Sequence, residues 1–187
     1  MLHELMVDGD LPEIPMFLDS PMGIEATALY SRSLGEHDIE MRQFFADSVN
    51  PIFPPNLKVT PSSSESRKLN RLKGPAIIIS ASGMATGGRI LHHLKLRLPG
   101  EKNTVLFTGY QAVGTKGRRL IEGEEEVKIH GQWIPVKAHI ARVTGLSAHA
   151  DAAELLVWLG RREREPEKVV LIHGEYDAQQ AFAERLH

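Results

Sequence analysis

Pro75-Ala-Ile-Ile-Ile-Ser-Ala-Ser-Gly-Met-Ala-Thr-Gly-Gly-Arg-Ile-Leu-His-His-Leu-Lys-Leu-Arg-Leu98 decides the fold. Its first third is a continuous apolar run, the pattern of a strand buried on both faces in a parallel sheet. The middle, Gly83-Met-Ala-Thr-Gly-Gly88, is a glycine-rich loop. The last third places Ile90, Leu91, Leu94 and Leu98 at helical spacing and is stopped by Pro99-Gly100. The succession recurs in Thr104-Val-Leu-Phe-Thr-Gly109 followed by Gly114-Thr-Lys-Gly-Arg-Arg-Leu120. Strand, glycine loop and basic helix, twice over, predict an α/β fold whose parallel sheet is built by right-handed crossovers.

On the N-terminal side, Asn50-Pro-Ile-Phe-Pro-Pro-Asn56 is a proline-rich connector into a short strand, Leu57-Lys-Val-Thr60. Ser62-Ser-Ser-Glu65 has the S-x-x-E spacing of a capping box and opens a basic helix. Earlier still, residues 14–18 read as a buried strand, Ser20-Pro21 opens a helix to about Ser33, and residues 38–46 form another. On the C-terminal side the acidic stretch Glu122–Glu126 marks a change of character. Gly131-Gln132 then separates two apolar segments as a hairpin would. Ser147-Ala-His-Ala-Asp151, a helix over 152–159, a strand over 169–172, His173-Gly-Glu175 and a helix from about Ala178 complete the chain. The expected division is residues 1–122 and 123–187.

Length and composition narrow the function classes. With 187 residues, 42% apolar and 25% charged, the chain can bury a core. It has no cysteine, which removes disulfides, thiolate nucleophiles and cysteine-held metals and fits a reducing cytoplasm. No apolar run approaches the roughly 20 residues of a membrane span. The first residues lack the basic and apolar regions of a signal peptide. The expectation is therefore a cytoplasmic protein with no membrane partner.

The net charge of -2 hides a strong asymmetry. Residues 1–60 hold three Lys/Arg against ten Asp/Glu, residues 61–120 eleven against two, and residues 121–187 eight against twelve. A concentrated basic third points to a local polyanion site. The plainer alternative is a solvated face that pairs with the acidic ends.

Gly83-Met-Ala-Thr-Gly-Gly88-Arg89-Ile90 has nearly the spacing of a nucleotide-binding P-loop. Arg stands where Lys is needed, and Ile where a hydroxyl would hold Mg²⁺, so an ATPase is rejected. A loop with exposed amides opening a helix still favours an anionic oxygen. Ser82, Gly83, Met84, Gly88 and Arg89 in the first loop, with Gly114, Thr115 and Lys116 in the second, are therefore candidate phosphate-binding residues. The alternative for the glycines is close packing of helix on strand. None of the nine histidines forms H-x-H or H-E-x-x-H. His149 and His173 stand apart because each lies in a small-residue segment beside an element end, where α/β proteins gather functional groups. Asp151 has the simpler option of capping the helix that follows it.

Five segments then occur in a telling order: Leu18-Asp-Ser-Pro-Met22; Ser80–Met84 with Gly87–Leu94; Gly109–Arg118; Leu146–Asp151; and Ile172-His-Gly-Glu175. Together they resemble the C-terminal portion of a prokaryotic metallo-β-lactamase-fold ribonuclease of the β-CASP group. The group is related to the endonuclease subunit of the eukaryotic mRNA 3′-end cleavage machinery. The resemblance implies that residues 1–122 are an N-terminally incomplete β-CASP domain. Residues 123–187 would return to the αββα lactamase fold with its RNA-metabolising motif. It implies that His149 contacts the scissile phosphate and assists as an acid; the small residues around it leave room for a phosphate and let Ser147 donate a hydrogen bond there. It implies that His173 is a ligand of one of two zinc ions; Glu175 and Asp151 are the candidate supporting carboxylates beside the two histidines. The family's H-x-H-x-D-H segment, a further His and a bridging Asp are absent from this sequence, and its first acidic motif would precede Met1.

The expectation is thus the RNA-binding and partial active-site portion of a zinc-dependent ribonuclease, inactive alone, acting on single-stranded RNA. A non-catalytic RNA-binding or dimerising module is the alternative, in which a second copy covers the apolar face left for the missing half. An unrelated phosphate-binding α/β enzyme is disfavoured by the five ordered segments.

Overall fold

The computed structural model describes residues 2–47, 50, 52–146 and 149–186. In chain order they form α1 (Leu2–Val7), β1 (Met16–Leu18), α2 (Pro21–Arg32), α3 (Ile39–Asp47), β2 (Leu57–Val59), α4 (Ser63–Lys68) and β3 (Ile77–Ile79). Then follow α5 (Ile90–Arg97), β4 (Thr104–Phe107), α6 (Lys116–Ile121), β5 (Glu126–Ile129), β6 (Gln132–Pro135), β7 (His139–Arg142), α7 (Ala152–Gly160) and α8 (Tyr176–Glu184). The mixed α/β class with parallel strands is as the sequence predicts. The start signals also hold. Ser20 caps α2 by accepting from the Gly23 amide, and Ser62 with Glu65 closes a reciprocal capping box on α4.

Three strands form a parallel sheet in the order β2-β1-β3, with Leu18 opposite both Val59 and Ile79. β4 pairs in parallel with β7, Phe107 standing opposite Arg142. β5 and β6 make an antiparallel hairpin whose turn is His130-Gly131, one residue earlier than the sequence suggested. Both turn residues have positive φ, 47° and 79°, as a two-residue hairpin turn of the favoured hand requires.

Two expectations fail. The two strand–loop–helix units are not neighbours in one sheet, because β3 pairs with β1 while β4 pairs with β7. Pairing choice is non-local, and repetition of a local pattern does not specify it. Residues 169–172 are not a strand: Val170 is 63% and Ile172 76% exposed, and no described strand offers them a ladder.

The core forms between α5, α6, β4 and the hairpin. Leu91 and Leu94 on one face of α5, with Leu98 at its C-terminal cap, keep the spacing read from the sequence. They pack with Phe107, Leu120, Val127, Ile129 and Ile134. Each such side chain contributes about 1.5–3 kcal/mol of transfer free energy.

A polar centre sits at the carboxyl end of the three-stranded sheet. Asp19, the residue after β1, has no exposed surface. Its Oδ1 accepts from Thr60 Oγ1 at 2.7 Å and Arg89 Nη1 at 2.8 Å. Its Oδ2 accepts from Ser66 Oγ at 2.7 Å and His93 Nε2 at 2.6 Å. An ionised carboxylate only accepts, so His93 must carry its proton on Nε2. Burial opposes the charge, but the hydrogen bonds from His93, Ser66, Thr60 and Arg89 outweigh it and hold the carboxyl below the usual aspartate value. One side chain thereby fastens the ends of β1 and β2, the helix α4 and the start of α5.

Asp19→Asn is expected to lower stability by about 3–5 kcal/mol, because it leaves Arg89 without its buried counter-charge. Urea unfolding at neutral pH measures this. The linkage has a definite sign. Asp19 titrates lower folded than unfolded, so its contribution is complete above the unfolded value of about 3.9 and is lost as pH falls through the folded one. The stability gap between wild type and Asp19→Asn should therefore narrow below about pH 4.

Candidate nucleic-acid interface

Four of the five segments singled out in the sequence follow the carboxyl ends of parallel strands, where α/β sheets place their ligands; the His173 segment does not. Asp19 follows β1, the loop Ser80–Gly88 follows β3, the loop Thr108–Thr115 follows β4, and the segment leading to His149 follows β7. The first glycine loop folds on itself, with the Ser82 and Thr86 hydroxyls 3.0 Å apart. Gly88 has φ +78°, and a Cβ there would lie 3.1 Å from the Ala81 carbonyl oxygen, so glycine is required for the turn into α5.

The two glycine loops are stitched into one surface. Gln111 is 2% exposed, and its Nε2 donates to the Gly83 carbonyl at 3.0 Å and the Gly109 carbonyl at 3.1 Å. The Gly117 amide donates to the Met84 carbonyl at 3.0 Å. A Cβ on Gly117 would fall 1.7 Å from Gln111 Oε1 and 3.1 Å from the Met84 carbonyl oxygen, so a side chain there must push the Gln111 amide aside. Thr115 caps α6: its Oγ1 accepts from the Arg118 amide at 3.2 Å and donates to the Ala112 carbonyl at 2.7 Å. Gly114, with φ +82°, is exposed beside it. Ser82, Gly83, Met84 and Gly88 are thus brought beside Gly114, Thr115 and Lys116, as residues of two loops that share hydrogen bonds.

The basic third divides in two. Among the described residues, only Arg89, Arg118 and Arg119 of its cations pair with a carboxylate, and Lys116, at the start of α6 beside the second loop, is among those that do not. Arg89 is largely committed: besides Asp19, its Nη1 donates to the Thr60 carbonyl at 2.6 Å and its Nη2 to the Pro61 carbonyl at 2.9 Å. Its side chain is 17% exposed, so it acts first as a bracket for the loop.

The C-terminal histidines stand on exposed backbone. His149 is exposed in the segment between β7 and α7, and Ser147 lies outside the described residues. Asp151 is the cap of α7: its Oδ1 accepts from the Ala153 and Glu154 amides, both at 2.8 Å. His173 has φ +68° and its turn is held from α8, where Gln179 Nε2 donates to the His173 carbonyl at 3.0 Å. The Glu175 carboxylate accepts from the Tyr110 hydroxyl, and Arg118 Nη1 lies 3.6 Å from the same oxygen. This hydrogen bond raises the Tyr110 phenol above its usual range and keeps it a donor. Among the described residues no three His, Asp or Glu side chains gather as a metal site. A catalytic zinc takes three protein ligands, so these residues do not fit one by themselves.

Asp19, Gln111, Tyr110 and Gln179 were not among the candidates read from the sequence. The first three lie inside segments quoted there, and the signal available was a polar residue at the end of a buried strand.

Residues 1–120 match the Beta-Casp domain, and residues 133–187 match the Zn-dependent metallo-hydrolase RNA specificity domain. Similar proteins include "Ribonuclease TTHA0252" of Thermus thermophilus, 40% identical over 94% of this chain and 40% of its own length. The transcription termination factor FttA of Methanocaldococcus jannaschii is 36% identical over 86% of this chain and 26% of its own. An RNase J-like protein of the same organism is 33% identical over 98% of this chain and 41% of its own. The chain therefore spans about two fifths or less of these relatives.

Gly117→Ala should displace the Gln111 amide from its two carbonyl acceptors and uncouple the loops. The expected cost is about 1–3 kcal/mol in urea unfolding. Amide exchange should rise in both loops together, whereas a change confined to residues 109–118 would contradict the coupling.

Proposed function

The chain belongs to the β-CASP family, and from that premise we propose that it is the RNA-binding and partial active-site portion of a zinc-dependent ribonuclease. Residues 1–122 are the β-CASP part and residues 123–187 return to the lactamase fold; the bounds of the two family matches support this division. The observation that carries the reading is the union of both glycine loops into one surface with Lys116 unpaired beside it. Ser82, Gly83, Met84, Gly88, Gly114, Thr115 and Lys116 would seat the phosphates of single-stranded RNA, with Arg89 shaping the loop and Ser147 beside His149. His149 would contact the scissile phosphate and protonate the leaving oxygen, an effect worth about 10²–10⁴ in rate. His173 would supply one zinc ligand, and the others would come from residues outside this chain. The relatives' greater length and the zinc-dependent family description support that arrangement. No described helix is long and apolar enough to cross a membrane, and the reading places the protein in the cytoplasm.

The 187-residue chain is expected to bind single-stranded RNA and not to cleave it. Each phosphate contact should contribute about -0.7 to the slope of log K against log salt. Lys116→Glu should weaken binding and flatten the slope. Arg89 is unsuitable for this test, because its charge reversal would oppose Asp19 and loosen the fold. Salt-independent or absent binding would contradict the proposed surface. RNA binding with no cleavage even in the longer protein would favour the non-catalytic module.

In the longer protein, His173→Ala should lose zinc along with turnover, while His149→Ala should lose turnover with zinc retained. Elemental analysis and single-turnover cleavage on both variants check this. Zinc loss from His149→Ala alone would invert the two roles.

A further inference from the structure

Glu175 occupies the cap position of α8, yet its side chain makes no capping hydrogen bond. The carboxylate reaches instead across 65 residues of sequence to the Tyr110 hydroxyl. Tyr110 adjoins Gln111, whose buried amide ties the same loop to Gly83. At the other end, Gln179 fixes the carbonyls of His173 and Gly174, at 3.0 and 3.3 Å. A continuous set of contacts therefore runs from the first glycine loop through Gln111 and Tyr110 to Glu175 and the His173 turn.

The Tyr110 side chain suits this task. A phenol has two rotatable bonds, so holding it in place costs little conformational entropy compared with a lysine or arginine. The His173 turn needs such support, since His173 sits at positive φ and its neighbours Ile172 and Tyr176 are 76% and 73% exposed.

We propose that Tyr110 is a positioning residue, latching the phosphate-binding loops to the His173 turn through Glu175. RNA seated on the loops then arrives at a fixed offset from the His173 imidazole. The functional meaning rests on the RNA reading above; the latch itself does not.

Backbone ¹⁵N relaxation on this chain tests it. Order parameters of His173, Gly174 and Glu175 should be near the rigid value of about 0.85 in the wild type and fall below about 0.6 in Tyr110→Phe. The melting temperature and the order of the loop 82–88 should stay unchanged. Glu175→Gln keeps an acceptor oxygen for the phenol and should keep the turn rigid, whereas Glu175→Ala should loosen it. The Tyr110→Phe/Glu175→Ala double variant should be no looser than Glu175→Ala alone, which already removes the phenol's acceptor together with the Arg118 ion pair. A turn already mobile in the wild type, a rigid turn in Tyr110→Phe, or additive loosening in the double variant would overturn the proposal. Affinity for single-stranded RNA should not change in Tyr110→Phe; a loss of affinity with a rigid turn would make the phenol an RNA contact and also overturn it. Absence of RNA binding by the wild type would sink the ribonuclease reading, while the relaxation data would still decide the latch.

Discussion

The carboxylate of Asp19 is the constraint on which the upper side of this molecule depends. A buried charge is costly unless opposed and fully hydrogen-bonded, and here each oxygen has two donors. The donors come from the end of β2, from α4, from the entry to α5 and from α5 itself. Apolar packing on Met16, Phe17 and Leu18 brings these elements near one another but is indifferent to small slides. Four directional bonds are not. They fix where the strands stop and where Arg89 stands, and Arg89 in turn holds the Thr60 and Pro61 carbonyls.

From that point order passes outward. Arg89 sets the close of the first glycine loop, the Gly83 and Met84 carbonyls take hydrogen bonds from Gln111 and Gly117, and the second loop is aligned on the first. Tyr110, 59% exposed, carries the alignment to Glu175. Tyr110 is far more exposed than Asp19, Arg89 or Gln111, so the site's outermost part owes its position to hydrogen bonds anchored in the buried centre. The separate core on α5 and α6 supports the same loops from beneath, since both helices begin where a loop ends.

Local signals in the sequence were dependable. The stop at Pro99-Gly100, the Ser20-Pro21 opening and the Ser62–Glu65 box all appear where the residues place them, whereas the apolar run before Gly83 yields only the short edge strand β3, with Ile79 40% exposed instead of buried on both faces. The loops named as phosphate candidates do lie together. What could not be read were choices between distant partners. The four donors to Asp19 lie 41 to 74 residues away, and nothing in Leu18-Asp-Ser-Pro says which they are. For the same reason Arg89 read as a free cation beside a loop, when burial makes its first task the neutralisation of Asp19. The pairing of β4 with β7, across the acidic stretch, was equally hidden. Val169–Ile172 carries strand-forming residues, but propensity without a ladder partner makes no strand.

The central claim is that Asp19 stays ionised inside the fold because four donors hold it so. Titration of its side-chain carboxyl by ¹³C NMR tests this most directly. The account predicts a carboxyl that remains charged as pH falls through about 3.9, where exposed aspartates are half protonated. An Asp19 that takes up its proton at or above that pH would show that burial outweighs the hydrogen bonds, and would contradict it.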